Sequence, residues 1–168
     1  FYNIMKKMKE FDAELVDLKE WNLPMFSEPI SPGMANGKYA RKEVQKWGDK
    51  MVEGDGYVII TPEYNHGYPA SLKNALDHLS IEWKKKPVAF ISYGASAGGA
   101  RSVEQLRQVA IELDMVPIKE LITFPNFWFA FDENGNPKEE MYGKNAESMI
   151  NSLLWWAKTL KRAREENK

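Results

Sequence analysis

Two short, unbroken apolar runs, Tyr57-Val58-Ile59-Ile60 and Val88-Ala89-Phe90-Ile91, constrain the fold of this chain more than any other feature. Neither alternates with polar residues, which is the pattern of a parallel strand covered on both faces. Ala70 to Leu79 between them reads as a helix, and parallel neighbours need such a crossover. The alternation continues on either side. Tyr39, Val44, Trp47 and Met51 share a helical stripe in Lys38 to Val52, and Val103, Leu106, Val109, Ala110 and Leu113 share another. Ile118 to Phe124 reads as a strand and Glu139 to Leu160 as a long closing helix. Ala13 to Leu18 (AELVDL) alternates apolar and polar, predicting a half-buried strand. Phe1, Ile4, Met5, Met8 and Phe11 predict an opening helix, and the prolines of Asn22 to Gly37 a loop. Strands alternating with helices predict an α/β fold with a parallel sheet, here as one domain over residues 1–168.

Composition removes several classes of function. Lys and Arg number 23 against 24 Asp and Glu, a net charge of -1 that argues against a nucleic-acid partner. Cysteine is absent, which excludes disulfides, thiolate metal sites and a cysteine nucleophile and fits a cytoplasmic setting. No apolar run approaches the roughly 18 residues that cross a bilayer, so no membrane partner is expected. The two histidines, His66 and His78, have no metal-ligand spacing, and no metal is expected.

Chemistry concentrates in two loops, Thr61 to Pro69 and Ser92 to Gly99. Both follow buried strands directly and so lie on the same edge of the sheet, where parallel α/β sheets bind ligands. The first carries Glu63, Asn65 and His66 alongside Tyr64 and Tyr68, more functional groups than a turn requires. Thr61-Pro62-Glu63-Tyr64-Asn65, followed by Pro69-Ala70-Ser71-Leu72-Lys73-Asn74-Ala75-Leu76-Asp77, resembles the signature of the NADPH-dependent FMN reductases. Ser92-Tyr93-Gly94 and Gly98-Gly99-Ala100-Arg101 are similar to that family's second flavin loop. The resemblance covers about residues 13–115 well and the last third loosely.

The resemblance implies a flavodoxin-like three-layer sandwich that binds FMN and takes a hydride from NADPH or NADH. The electrons would then reach a small-molecule acceptor: a flavin, a quinone, an azo dye or a metal oxyanion. A flavodoxin-like electron carrier without NAD(P)H activity is the alternative. By the same resemblance Pro62, Glu63, Tyr64, Asn65, Ser92, Tyr93 and Gly94 contact the flavin, largely through backbone groups. No catalytic side chain is expected, because the cofactor carries the chemistry. Lys73, Asn74 and Asp77 belong to the signature and are expected only to fasten the helix that follows the loop.

Arg101 opens a helix, where the dipole disfavours a cation, so a partner is expected to hold it. That partner is a cofactor phosphate or a carboxylate, and the resemblance favours a structural or intersubunit role. Phe127, Trp128, Phe129 and Phe131 suit internal core and a subunit contact equally, and relatives suggest a homodimer or homotetramer. Flavodoxin-like sheets have five strands in the order 2-1-3-4-5. The four legible strands correspond to strands 2 to 5. Strand 1 and a phosphate-binding turn are therefore expected upstream of Phe1, in roughly 20–30 further residues.

Overall fold

The structure, a computed structural model, describes residues 1–167. Its centre is a parallel sheet of three strands, β1 (Tyr57–Pro62), β2 (Pro87–Tyr93) and β3 (Val116–Phe124), in that spatial order. The helices are α1 (Tyr2–Met5), α2 (Pro32–Ala35), α3 (Lys42–Glu53), α4 (Ala70–Asp77), α5 (Ala100–Glu112) and α6 (Met141–Glu166). No helix among the described residues is long and apolar enough to cross a membrane.

The middle strand explains its own sequence. Val88 and Phe90 face a core built with Val44, Trp47 and Met51 of α3, Ala75 and Leu76 of α4, and Val103, Leu106 and Ala110 of α5. Ala89 and Ile91 face the other way, onto Ile118 and Ile122 of β3 and Ala146, Met149 and Leu153 of α6. Period-2 side chains of one strand thus serve two apolar layers, and no polar residue has a place among them. Each fully buried large side chain adds about 1.5–3 kcal/mol relative to exposure.

Two expected elements differ. Ala13 to Leu18 forms no strand; it runs unpaired, and a 3-10 turn occupies Leu18–Glu20. A strand exists only as part of a ladder, and a groove of about 660 Å3 separates residues 12–16 from the outer edge of β1. Val16 and Leu18 still pack against the α3 side of the core, which accounts for their apolar spacing. The opening helix shrinks to α1, and only Phe1 and Ile4 of its five predicted apolar positions pack against the α6 layer.

The end of the sheet where the strands begin is closed by ionic contacts. Lys161 and Arg164 of α6 both reach Asp55, at 2.7 and 2.8 Å, so the basic residues of the helix tail tie it to the turn before β1. Lys86 is 6% exposed, and its ammonium donates to the α3 carbonyls of Val52 at 3.0 Å and Met51 at 3.3 Å. It satisfies the C-terminal carbonyls of that helix. Burial, reinforced by the Arg164 charge, lowers its pKa to about 8.

A pH dependence follows. Between about pH 8 and about pH 10.5 the unfolded chain holds a proton on this lysine that the folded chain has shed, so stability rises with pH. The gain is roughly 2–3 kcal/mol after allowance for solvent screening. Above about pH 10 it is offset, because burial raises Tyr39 and Tyr57 and only the unfolded chain ionises them. The urea midpoint should therefore be higher at about pH 9.5 than at about pH 7.5, and Lys86→Met should remove that rise.

Candidate functional site

Strands β1 and β2 are in register to their last residues, with Thr61 opposite Ser92 and Pro62 opposite Tyr93. The Glu63 N–H donates to the Tyr93 carbonyl at 3.0 Å, and the Gly94 N–H donates to that of Phe124 at 3.2 Å. Both loops therefore leave the sheet at one level, and a Cβ on Gly94 would lie 3.5 Å from that of Glu63. Pro62, Glu63, Tyr93 and Gly94 are brought together as neighbours.

Tyr64 to Gly67 closes a tight turn in which the two end residues exchange N–H···O bonds of 2.8 and 3.0 Å. Its central residues, Asn65 (φ 51°) and His66 (φ 72°), are both left-handed, as a type I′ turn requires. Asparagine tolerates that region; a histidine there costs roughly 1–2 kcal/mol. Something must hold it.

Helix α5 does so, through side chains one turn apart. Arg101 pairs with Glu63 through Nε at 2.6 Å and also through its Nη2, while the Arg101 N–H donates to the other carboxylate oxygen at 3.2 Å. Ser102 donates to the Pro62 carbonyl at 3.2 Å, and Gln105 donates to the His66 carbonyl at 2.8 Å. The remaining guanidinium nitrogen, Nη1, lies 2.9 Å from His66 Nε2 and donates to it when the imidazole is neutral. The partner expected for Arg101 is thus a carboxylate of the same chain. The Glu63 side chain is only 7% exposed. Its carboxylate is spent on Arg101.

The other predicted contacts differ in position. Ser92 is fully buried, with its hydroxyl donating to the Gly98 carbonyl at 2.9 Å, so it braces the second loop from below. Tyr64 is 63% exposed and Asn65 is exposed. Tyr93 is half-buried edge-on against Phe127, and burial followed by the nearby Tyr64 raises its hydroxyl pKa. Phe127 thus buttresses the site, while Trp128 and Phe129 remain exposed. Asn74 closes a clasp on a distant loop: it accepts from the Phe26 N–H at 2.9 Å and donates to the Pro24 carbonyl at 2.8 Å. Lys73 and Asp77 pair with each other on the surface of α4.

Backbone donors remain over. Among the described residues, the N–H groups of Asn65, His66, Ala95 and Ser96 have no protein acceptor, and all four residues are exposed. They lie on two adjacent loops beside Tyr64 and Tyr93. That combination fits a flat heterocycle carrying acceptors along its edge, as the isoalloxazine ring of FMN does.

Residues 2–129 match the family model described as NADPH-dependent FMN reductase. The chain belongs to that family. An NAD(P)H-dependent FMN reductase of Schizosaccharomyces pombe is 43% identical over 122 residues, 71% of this chain and 60% of the relative. A 2-hydroxy-1,4-benzoquinone reductase of a Burkholderia species is 30% identical over 160 residues, 89% of this chain and 81% of the relative. The chain spans about 60% of the length of the reductase it resembles most in sequence among these. In structure it is similar to the flavoenzyme FerB, an NAD(P)H:(acceptor) oxidoreductase of Paracoccus denitrificans. The TM-score is 0.68 at 22% identity, over 93% of this chain and 86% of that one, and the likeness establishes a flavodoxin-like α/β fold. The family match ends at Phe129, so both loops and the buttressing Phe127 fall inside it.

Proposed function

We propose that this member of the FMN reductase family binds FMN across the Tyr64–Gly67 turn and the Gly94–Gly99 loop, and works as an NAD(P)H-dependent oxidoreductase. The observation that carries the reading is the set of unpaired N–H donors on two level, braced loops within the family's matched range. The Tyr64–Gly67 turn and the Gly94–Gly99 loop would hold FMN, which when bound would supply the redox chemistry between NAD(P)H and a quinone, flavin, azo or metal-oxyanion acceptor. The protein's part is to bind and orient. Fixed N–H groups stabilise negative charge on a reduced ring without reorganising, and Tyr64 and Tyr93 offer apolar faces. Similarity to quinone and FMN reductases supports a small-molecule acceptor. The exposed Trp128 and Phe129 support a homodimer or homotetramer with these aromatics at the contact.

Purified protein titrated with FMN should quench flavin fluorescence, and NADPH added without oxygen should bleach the bound flavin. Asn65→Ala and Gly94→Trp, made separately, should each weaken FMN by about tenfold or more. Failure of both substitutions to change affinity sinks the site. Binding without bleaching by NADPH or NADH leaves an electron carrier instead.

A further inference from the structure

The 3-10 turn Phe127–Phe129 after β3 carries aromatic surface that the two loops leave unused. Asn126 donates its N–H to the Ala95 carbonyl at 2.9 Å and Phe127 donates to that of Gly94 at 3.2 Å, so the turn is pinned to the second loop. Phe131 packs inward against Phe124 and Tyr142. Phe127 rests edge-on against Tyr93, and the Trp128 ring lies 4.7 Å from that of Phe127 at a tilt of 32°. Trp128 is nonetheless 62% exposed. Tyr93, Phe127 and Trp128 thus form one aromatic row that starts at the end of β2 and leads outward from the loops. Phe129 is exposed too, but among the described residues no aromatic ring joins it to that row. With three residues per turn, the side chains of Trp128 and Phe129 leave the backbone about 120° apart, so a subunit contact through Phe129 does not need Trp128. Charge points the same way. Residues 61–69, 92–99 and 126–131 contain one formally charged side chain, Glu63, and Arg101 neutralises it. An anionic acceptor finds no spare cation there, whereas a flat, uncharged ring finds an aromatic face.

We propose that Trp128 is the platform on which the electron acceptor stacks, and that it selects uncharged planar acceptors of the quinone class over metal oxyanions and other anions. The inference rests on the FMN reading above and narrows its acceptor to one class. Aromatic rings attract one another offset or edge-on with centroids about 4.5–7 Å apart, and the row from Tyr93 to Trp128 already has that spacing. A quinone laid against Trp128 continues the row without any charge to desolvate. In the overall reaction the quinone gains two electrons and a proton, the hydride equivalent of NAD(P)H. It takes a second proton from water and leaves as the hydroquinone, and the nucleotide leaves as NAD(P)+. Trp128 has no part in that transfer; it holds the acceptor.

Acceptor kinetics of the FMN-loaded protein test this, with menadione as the uncharged planar probe and ferricyanide as an anion without a planar face. Trp128→Ala should raise the KM for menadione about tenfold or more, and lower the menadione-to-ferricyanide ratio of kcat/KM by a similar factor. Trp128→Phe keeps a ring and should stay within about threefold of wild type. Equilibrium dialysis of menadione against the oxidised protein needs no turnover, and it should show the same loss of about tenfold in Trp128→Ala. The FMN dissociation constant, read by fluorescence quenching, should stay within about threefold in both variants. An unchanged acceptor ratio, or menadione binding equal to wild type, overturns the platform. Parallel losses with both acceptors overturn it too; a shift to smaller species in light scattering then assigns Trp128 to the subunit contact. Weakened FMN binding in Trp128→Ala overturns it likewise, because the residue then belongs to the flavin site. Should wild type bind no FMN, the flavin reading fails and the platform with it.

Discussion

Gly99→Ala is expected to destabilise the protein by about 3 kcal/mol or more. Gly99 has φ 85°, and a Cβ there would stand 2.6 Å from the Ser92 Cβ and 2.9 Å from the Tyr93 amide nitrogen. Neither neighbour can yield: Ser92 is fully buried in the ladder between β1 and β3, and Tyr93 pairs with Pro62 and Phe124. The left-handed backbone contributes about 1–2 kcal/mol and the clash the rest. For a domain of this size that is a fall in melting temperature of roughly 6–12 °C. Gly135→Ala supplies the control, because Gly135 has φ 77° but nothing within 4 Å of its would-be Cβ. Calorimetry should give the control the backbone cost alone. Equal losses in both would show that the steric account of Gly99 is wrong.

Arg101→Met should cost about 2–4 kcal/mol, the second large effect. The substitution strands the Glu63 carboxylate in a site where its side chain is 7% exposed. Arg101 itself is 42% exposed, so solvent screens part of the interaction and the lower half of that range is expected. Removing both partners should be cheaper than removing one. Glu63→Gln combined with Arg101→Met is therefore expected to recover about half or more of the loss in urea unfolding. Strict additivity of the two single substitutions would mean that the pair is an incidental surface contact.

How far the sequence predicts this molecule depends on where each determinant lies. β1, β2, α3 and α5 are written in contiguous residues, because burial on both faces or on one stripe leaves a local trace. Ala13 to Leu18 carries the same trace without the structure, since being a strand is a property of a pair and the ladder partner is not within reach. The motif of the first loop is legible as residues, but the division of labour within it is not. Glu63 and Arg101 are 38 positions apart, and only the cation at a helix start, where the dipole opposes it, hinted that a carboxylate would be found. Ser92 illustrates the converse: a motif serine whose hydroxyl turns inward to Gly98, because the left-handed start of α5 brings that carbonyl back over the strand. Gln105 left no sequence signal at all; it acts only because it lies one helical turn beyond Arg101.

The contacts from α6 to Asp55 span 106 and 109 residues of chain. A chain emerging from the ribosome therefore presents the sheet before the helix that covers one of its faces. Ala89, Ile91, Ile118 and Ile122 must wait in water, or against a chaperone, until Ala146 to Leu153 are made. Closing so long a loop costs little more entropy than closing one half its length, about 0.6 kcal/mol for the doubling. The delay is thus one of synthesis time and search rather than of equilibrium. At about 5–20 residues per second, the interval between completing β3 and completing α6 is a few seconds. During that interval this protein is most exposed to aggregation, and substitutions in α6 should lower its yield in cells more than its melting temperature in the tube.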